Sequence, residues 1–218
     1  MRAHSQQGLN PPMPQDDSTV FVVDDDPAMR ESLSWLLQSA GLSVETYESA
    51  EHYLAKCEPG RPGVLLLDLK LPGKSGLELQ HELAVRAGTV PIIFLTGYAE
   101  VPTAVRALKT GAFDFLEKPF SDETLLDCVR RAVDLDKRTR LKEEEISSVT
   151  IKLGRLSPRE RQVMELMIAG KPTKVIAAEL GLSPKTVEVH RGRVMRKMEV
   201  RTLPHLVRQV MEARHEGI

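Results

Sequence analysis

The stretch Val64-Leu65-Leu66-Leu67-Asp68-Leu69-Lys70-Leu71-Pro72-Gly73 decides how the first half of this 218-residue chain reads. Four consecutive apolar residues run directly into an aspartate, and a Pro-Gly pair closes the segment. An unbroken apolar run bounded by turn residues is the pattern of a strand buried on both faces. Similar runs occur at Val20 to Val23, Ile92 to Leu95 and Phe113 to Leu116, with a weaker one at Ser43 to Tyr47. Between them lie segments with helical spacing. Met29, Leu33, Leu36, Leu37 and Ala40 form one, closed by Gly41; Leu77, Leu79, Leu83 and Val85 sit in another. Ala104 to Leu108 and Ser121 to Leu135 follow. Strands alternating with helices predict a doubly wound α/β domain with a five-stranded parallel sheet.

The polar residues fall at telling places. Asp24 and Asp25 follow the first apolar run, Asp68 the third, Thr96 the fourth and Lys118 the fifth. In an open parallel sheet, the carboxyl ends of the strands line the crevice where ligands bind. A lone Asp after a strand is commonly a helix cap, but five polar groups from four segments converging on one edge describe a site. Three crowded carboxylates repel one another, and a hard divalent cation, Mg²⁺ or Mn²⁺, resolves the repulsion. One carboxylate can then attack a phosphoryl group to form an aspartyl phosphate. Lys118 would neutralise charge developing on the transferred oxygens, and the Thr96 hydroxyl would follow the new group. No general base accompanies the nucleophile. Lys70 stands two residues after Asp68, where phosphatases that work through an aspartyl phosphate place a second acid, so the chain is not expected to be an enzyme.

The second half has no strand signal. Ser157-Pro158-Arg159-Glu160 combines a serine cap, a proline at the first helical position and a glutamate three residues on; Ser183-Pro184 repeats the device. Gly170 and Gly181 close helical patterns. Helices are expected at about 157–169, 172–180, 184–198 and 203–213, a small all-α four-helix domain. The domain boundaries read as a flexible tail 1–17, the α/β domain 18–136, a partly helical linker 137–154 and the helical domain 155–218; the charged, weakly apolar linker segment could also be an extension of the preceding helix.

Charge separates the halves. Residues 18–136 carry 11 Lys and Arg against 19 Asp and Glu, whereas residues 155–218 carry 13 against 7. A basic C-terminal half suggests a polyanionic partner. No apolar run reaches the roughly 20 residues of a membrane span. The start, with Pro11, Pro12 and Pro14, has no secretory apolar core, so a cytoplasmic location is expected. Cys57 and Cys128 have no metal-binding spacing and read as reduced thiols.

Residues 18–136 resemble a CheY-like receiver domain through Val23-Asp24-Asp25, Leu67 to Gly73, Thr96-Gly97 and Glu117-Lys118-Pro119-Phe120. Residues 155–218 resemble the LuxR-type helix-turn-helix domain through Leu156 to Arg161, Ile176 to Ser183 and Thr186-Val187-Glu188-Val189-His190-Arg191. Together they resemble bacterial two-component response regulators of the FixJ/NarL class, and within it the FixJ branch. The resemblance implies Asp68 as phosphoacceptor, Asp24 and Asp25 as metal-site acids, and the Lys70 backbone carbonyl as a further metal ligand. It makes Thr96 and Lys118 the phosphate-sensing pair and puts the switch aromatic on Phe115, which has no hydroxyl to report a change. It also implies a cis Lys118–Pro119 bond, and Asp26 reads as a helix cap.

In a helix-turn-helix the second helix enters the major groove with its N-terminal residues on base edges. Glu188 and Val189 are therefore expected near bases, since Glu accepts from cytosine and Val packs on a thymine methyl. Lys185, Arg191 and Arg193 would hold the backbone, as would Thr173 and Lys174 in the preceding helix, and Thr186 would be a further DNA-binding residue. The implied partners are a sensor histidine kinase, double-stranded promoter DNA and RNA polymerase. One basic domain binds DNA weakly, and dimers spanning two half-sites are the usual remedy. The expectation is a phosphorylation-promoted homodimer through the helix 102–110, the following strand and the helix 121–135. The alternative is a receiver that inhibits the DNA-binding domain until phosphorylated, without dimerisation.

Overall fold

The structure is a computed structural model that describes residues 18–85, 90–97 and 107–215. The tail 1–17 and most of the helix expected near 104–108 lie outside the described residues; Ala107 to Lys109 are helical. The chain divides into two compact units, Met1–Arg138 and Thr139–Ile218.

In the first unit five strands form one sheet: β1 (Thr19–Val23), β2 (Ser43–Tyr47), β3 (Gly63–Asp68), β4 (Ile92–Thr96) and β5 (Asp114–Glu117), in the order β2-β1-β3-β4-β5. Every pairing is parallel, with Val23 opposite Leu67, Asp68 opposite Leu95 and Thr96 opposite Glu117. The apolar runs are continuous because both faces are covered. Val20, Val22, Val64, Leu66, Ile93 and Leu95 pack with α1 (Pro27–Ser39) and the start of α4 (Asp122–Gly154), through Leu33, Leu37, Leu125, Val129 and Val133. Phe21, Val23, Leu65, Leu67 and Phe94 face α2 (Ala50–Lys56) and α3 (Gly76–Val85), through Tyr53 and Leu79. Each such side chain contributes about 1.5–3 kcal/mol on burial.

The sequence reading named no helix between β2 and β3, yet α2 is there. Its seven residues are too few for an apolar period, and its signal is Ser49, whose hydroxyl accepts from the His52 N–H. Asp26 caps α1 by accepting from the Ala28 N–H. The Lys118–Pro119 bond is cis.

The segment 137–154, expected as either an extension of the preceding helix or a partly helical linker, is helical throughout. α4 runs unbroken over 33 residues to Gly154, and the division between units falls inside it, between Arg138 and Thr139. Lys, Arg and Glu fill this segment and are good helix formers. Val149 and Leu153 are buried in the second unit's core, which makes the last turns part of that unit.

The second unit continues with α5 (Pro158–Ile168), α6 (Thr173–Leu180), α7 (Pro184–Lys197) and α8 (Leu203–His215). Ser157 and Glu160 form a complete capping box at α5. Gly181 ends α6 in the left-handed conformation at φ 63°, a turn that a side chain would strain. Its core joins Val163, Met164, Met167, Ile176, Val187, Val194, Met198, Leu206 and Val210 to the end of α4.

Candidate functional site

The parallel register delivers the polar residues to one edge of the sheet. Asp24 follows β1, Asp68 ends β3, Thr96 ends β4 and Lys118 follows β5. Carboxylate oxygens of Asp24, Asp25 and Asp68 all lie within 4.8 Å of one another. Asp24 is buried, Asp68 half-buried and Asp25 exposed, so the cluster opens to solvent on one side. Lys118 places Nζ 2.8 Å from Asp24 Oδ2 and 3.7 Å from Asp68 Oδ2. Burial pushes the Asp68 carboxyl above its ordinary range; Lys118 opposes that rise, and the neighbouring Asp24 adds to it. The pocket therefore holds more negative charge than one ammonium offsets, and a divalent cation would relieve the excess.

The loop after Asp68 is held tightly. The Lys70 N–H lies 3.5 Å from Asp68 Oδ1, and the Gly76 N–H donates to the Leu69 carbonyl at 3.2 Å. A Cβ on Gly76 would sit 2.4 Å from the Asp68 carbonyl oxygen, so this position excludes any larger residue. Thr96 is buried, and its carbonyl accepts from the Lys118 N–H at 2.6 Å. Phe115 lies half-buried in β5 against the Phe21–Leu67 cluster.

Three further residues were not singled out in the sequence, two near the acidic cluster and one at the opposite end of β3. Arg30 donates through Nη1 to the Asp24 carbonyl at 2.7 Å. Glu51 accepts from the Lys74 N–H at 3.0 Å, tying α2 to the loop after the acceptor. Asp136 is buried and accepts from the Gly63 N–H at 2.9 Å. The last two bridge 23 and 73 residues, and no local pattern announces them.

In the second unit, α6 and α7 are joined by the turn at Gly181 and share Ile176, Ala177 and Val187 as buried packing. Lys174, Lys185, Glu188, Val189 and Arg193 are exposed, and Thr173, Thr186 and Arg191 are half-buried. Thr186 belongs to the start of α7: its N–H and its hydroxyl both bond Ser183 Oγ. The Thr173 hydroxyl donates to Glu188 Oε1 at 2.6 Å, and Arg191 Nε lies 3.6 Å from the same oxygen. An exposed Val189 beside a carboxylate, with cations around both, is a surface fitted to base edges and phosphates.

Residues 20–130 match the response regulator receiver domain family, and residues 154–210 match the bacterial regulatory proteins of the luxR family. The chain is a response regulator. It is 43% identical over 195 residues to the transcriptional regulatory protein FixJ of Rhizobium meliloti, covering 89% of this chain and 96% of that one. It is 46% identical over 189 residues to nodulation protein W of Bradyrhizobium diazoefficiens, covering 87% and 83%. Among solved structures, the response regulator StyR matches with a TM-score of 0.83 at 42% identity, covering 90% of this chain and 99% of that one. Full-length FixJ from B. japonicum matches with a TM-score of 0.55 at 40% identity, covering 91% and 98%.

As a response regulator with a LuxR-type domain, the chain is a transcription factor of a two-component system rather than an enzyme in the usual sense. Receiver domains bind Mg²⁺ at an acidic pocket, and the donor set of this regulator fits one. Three carboxylates from two loops stand near the spacing that one cation, with metal–oxygen bonds of about 2.1 Å, would bridge. Among the described residues no helix of the regulator is long and apolar enough to cross a membrane.

Proposed function

We propose that the regulator accepts a phosphoryl group on Asp68 from a sensor histidine kinase and, as a phosphorylation-promoted homodimer, binds promoter DNA through α7 to control transcription by RNA polymerase. The observation that carries this reading is the juxtaposition of Asp24, Asp25 and Asp68 within 4.8 Å, with the Lys118 ammonium 3.7 Å from Asp68. Asp24, Asp25 and Asp68, with the Lys70 carbonyl, would hold Mg²⁺, which when bound neutralises the cluster and the oxygens of an incoming phosphoryl group. Asp68 is the nucleophile in this reading because it is the one acid of the three that ends a strand. It is half-buried, open to solvent on one side and has the Lys118 ammonium at 3.7 Å, whereas Asp24 is buried against Lys118 at 2.8 Å. Attack by its carboxylate oxygen forms the acyl phosphate bond as the donor's bond to phosphorus breaks, and Lys118 turns from Asp24 toward the new phosphoryl oxygens. The Thr96 hydroxyl donates to the same group, drawing the end of β4 toward β3. Phe115, next to that strand end, takes up the space vacated.

Dimerisation would use the edge strand β5, whose Asp114, Phe115 and Leu116 are half-buried, and the outer face of α4. There Asp127 and Arg131 pair at 3.1 Å, and Leu135 is exposed. The expected helix 102–110 of this face lies mostly outside the described residues. On the DNA side, Glu188 and Val189 face bases while Lys174, Lys185 and Arg193 hold phosphates. Footprinting the intact protein on its own promoter region, with and without a small phosphodonor plus Mg²⁺, tests the reading. Protection that appears or strengthens with the phosphodonor is expected, and protection indifferent to it would refute the coupling.

A further inference from the structure

A carboxylate on a DNA-reading helix needs an explanation. The groove walls are lined with phosphates, which repel a free glutamate. Glu188 is exposed on α7, yet two side chains reach it. Thr173, the first residue of α6, donates its hydroxyl to Oε1 at 2.6 Å, and Arg191, one turn along α7, brings Nε to 3.6 Å of the same oxygen. At neutral pH a carboxylate only accepts, so the Thr173 proton is committed to Glu188 and not available to a phosphate. A hydrogen bond to an ionised acceptor is roughly twice as strong as a neutral one, and phosphate would have to compete against it. Arg191 offsets the negative charge that DNA would otherwise reject. Both contacts fall on Oε1, and Oε2 has no partner among the described residues.

We propose that Thr173 and Arg191 are positioning residues that hold the Glu188 carboxylate for the exocyclic amino group of a cytosine, so that one base preference in each half-site rests on side chains from two helices. The proposal rests on the reading of α7 as the helix that enters the major groove. It reassigns Thr173 from holding the backbone to aiming a base-reading group. Gly192 fits the arrangement: one turn beyond Glu188, it offers no side chain to compete for the same base edge.

The test is selection from a duplex library of randomised sequence by the intact protein, treated with a small phosphodonor and Mg²⁺. The recovered sequences give the base preference at each position. The wild-type protein is expected to enrich cytosine at one position of each half-site. Thr173→Val keeps the side-chain shape without the hydroxyl and should lower that preference roughly five- to tenfold, leaving other positions and the salt dependence unchanged. Thr173→Ser should restore it. Glu188→Gln should shift the same position from cytosine toward adenine, which Gln pairs with. A Thr173→Val profile identical to wild type, or an even loss of affinity across all sequences, would overturn the proposal while leaving DNA binding by α7 intact. Failure of the wild-type protein to enrich any sequence would overturn both.

Discussion

Replacing Glu160 by Ala should loosen the second unit while leaving the receiver unchanged. Glu160 is 3% exposed at the start of α5. Its Oε2 accepts from the Ser157 N–H at 2.8 Å and from Lys197 Nζ, in the last turn of α7, at 2.6 Å. Lys197 also donates to the Arg155 carbonyl at 3.0 Å, so the one carboxylate ties the entry of α5 to the end of the reading helix. The Lys197 ammonium, followed by the Ser157 N–H, lowers the Glu160 carboxyl from 4.5 to about 2. Each tenfold change in proton affinity is worth about 1.4 kcal/mol, which sets a ceiling of about 3 kcal/mol at neutral pH. Lys197 is partly solvated, so about 2 kcal/mol is the expected loss, in line with hydrogen bonds to charged groups.

Because the folded carboxyl titrates below the unfolded one, this stabilisation is full above about pH 4.5 and is lost as pH falls toward 2. Glu160→Gln lacks the ionisation, so its stability should converge on wild type as pH falls through that window. The assay follows from composition: residues 139–218 contain no Trp, Tyr or Phe. Near-UV circular dichroism from the buried Tyr47 and Tyr53 reports the receiver alone, and the far-UV signal reports both units. With a urea slope of about 1 kcal/mol/M for a unit of this size, Glu160→Ala should lower one far-UV midpoint by roughly 2 M. A shift below about 0.5 M, or an equal shift of the tyrosine signal, would refute the reasoning.

Asp68→Asn should abolish uptake of acid-labile phosphate from a small phosphodonor without lowering the tyrosine-reported unfolding midpoint; labelling that persists would exclude Asp68 as acceptor. Lys118→Met removes the ammonium 2.8 Å from Asp24 and 3.7 Å from Asp68, so Mn²⁺ followed by electron paramagnetic resonance should bind several-fold more tightly. Unchanged or weaker binding would contradict that charge balance. Asp136→Ala leaves the buried Gly63 N–H without its carboxylate and should cost the receiver about 1–3 kcal/mol in urea unfolding, with the far-UV transition of the second unit in place.

The sheet was legible because each strand is a continuous apolar run, and only burial on both faces selects such runs. The acidic cluster was legible for a related reason: each of its members ends a strand or lies within two residues after one, so knowing the strands was enough to gather Asp24, Asp25, Asp68 and Lys118. What escaped has at most a lone cap residue as its local signature. α2 is shorter than the period that would reveal it. The segment 137–154 stayed open between a continued helix and a linker because its middle has no apolar stripe, and its far end is stabilised by the core around Val149 and Leu153. Glu51, Asp136 and the Lys197–Glu160 pair act across 23, 73 and 37 residues, distances that only the folded chain closes.

Gly63 lies at the far end of β3 from Asp68, about 17 Å away at roughly 3.3 Å per residue. A Cβ there would stand 2.0 Å from the Thr19 carbonyl oxygen and 2.9 Å from the Phe21 ring. Any other residue would act as a wedge between β1 and β3, and these two strands carry Asp24 and Asp68 at their opposite tips. A small separation at one end of such a pair becomes a change of angle at the other. In a mutational scan scored by phosphoryl uptake, position 63 should therefore rank with the acids themselves, although it brings no chemistry of its own.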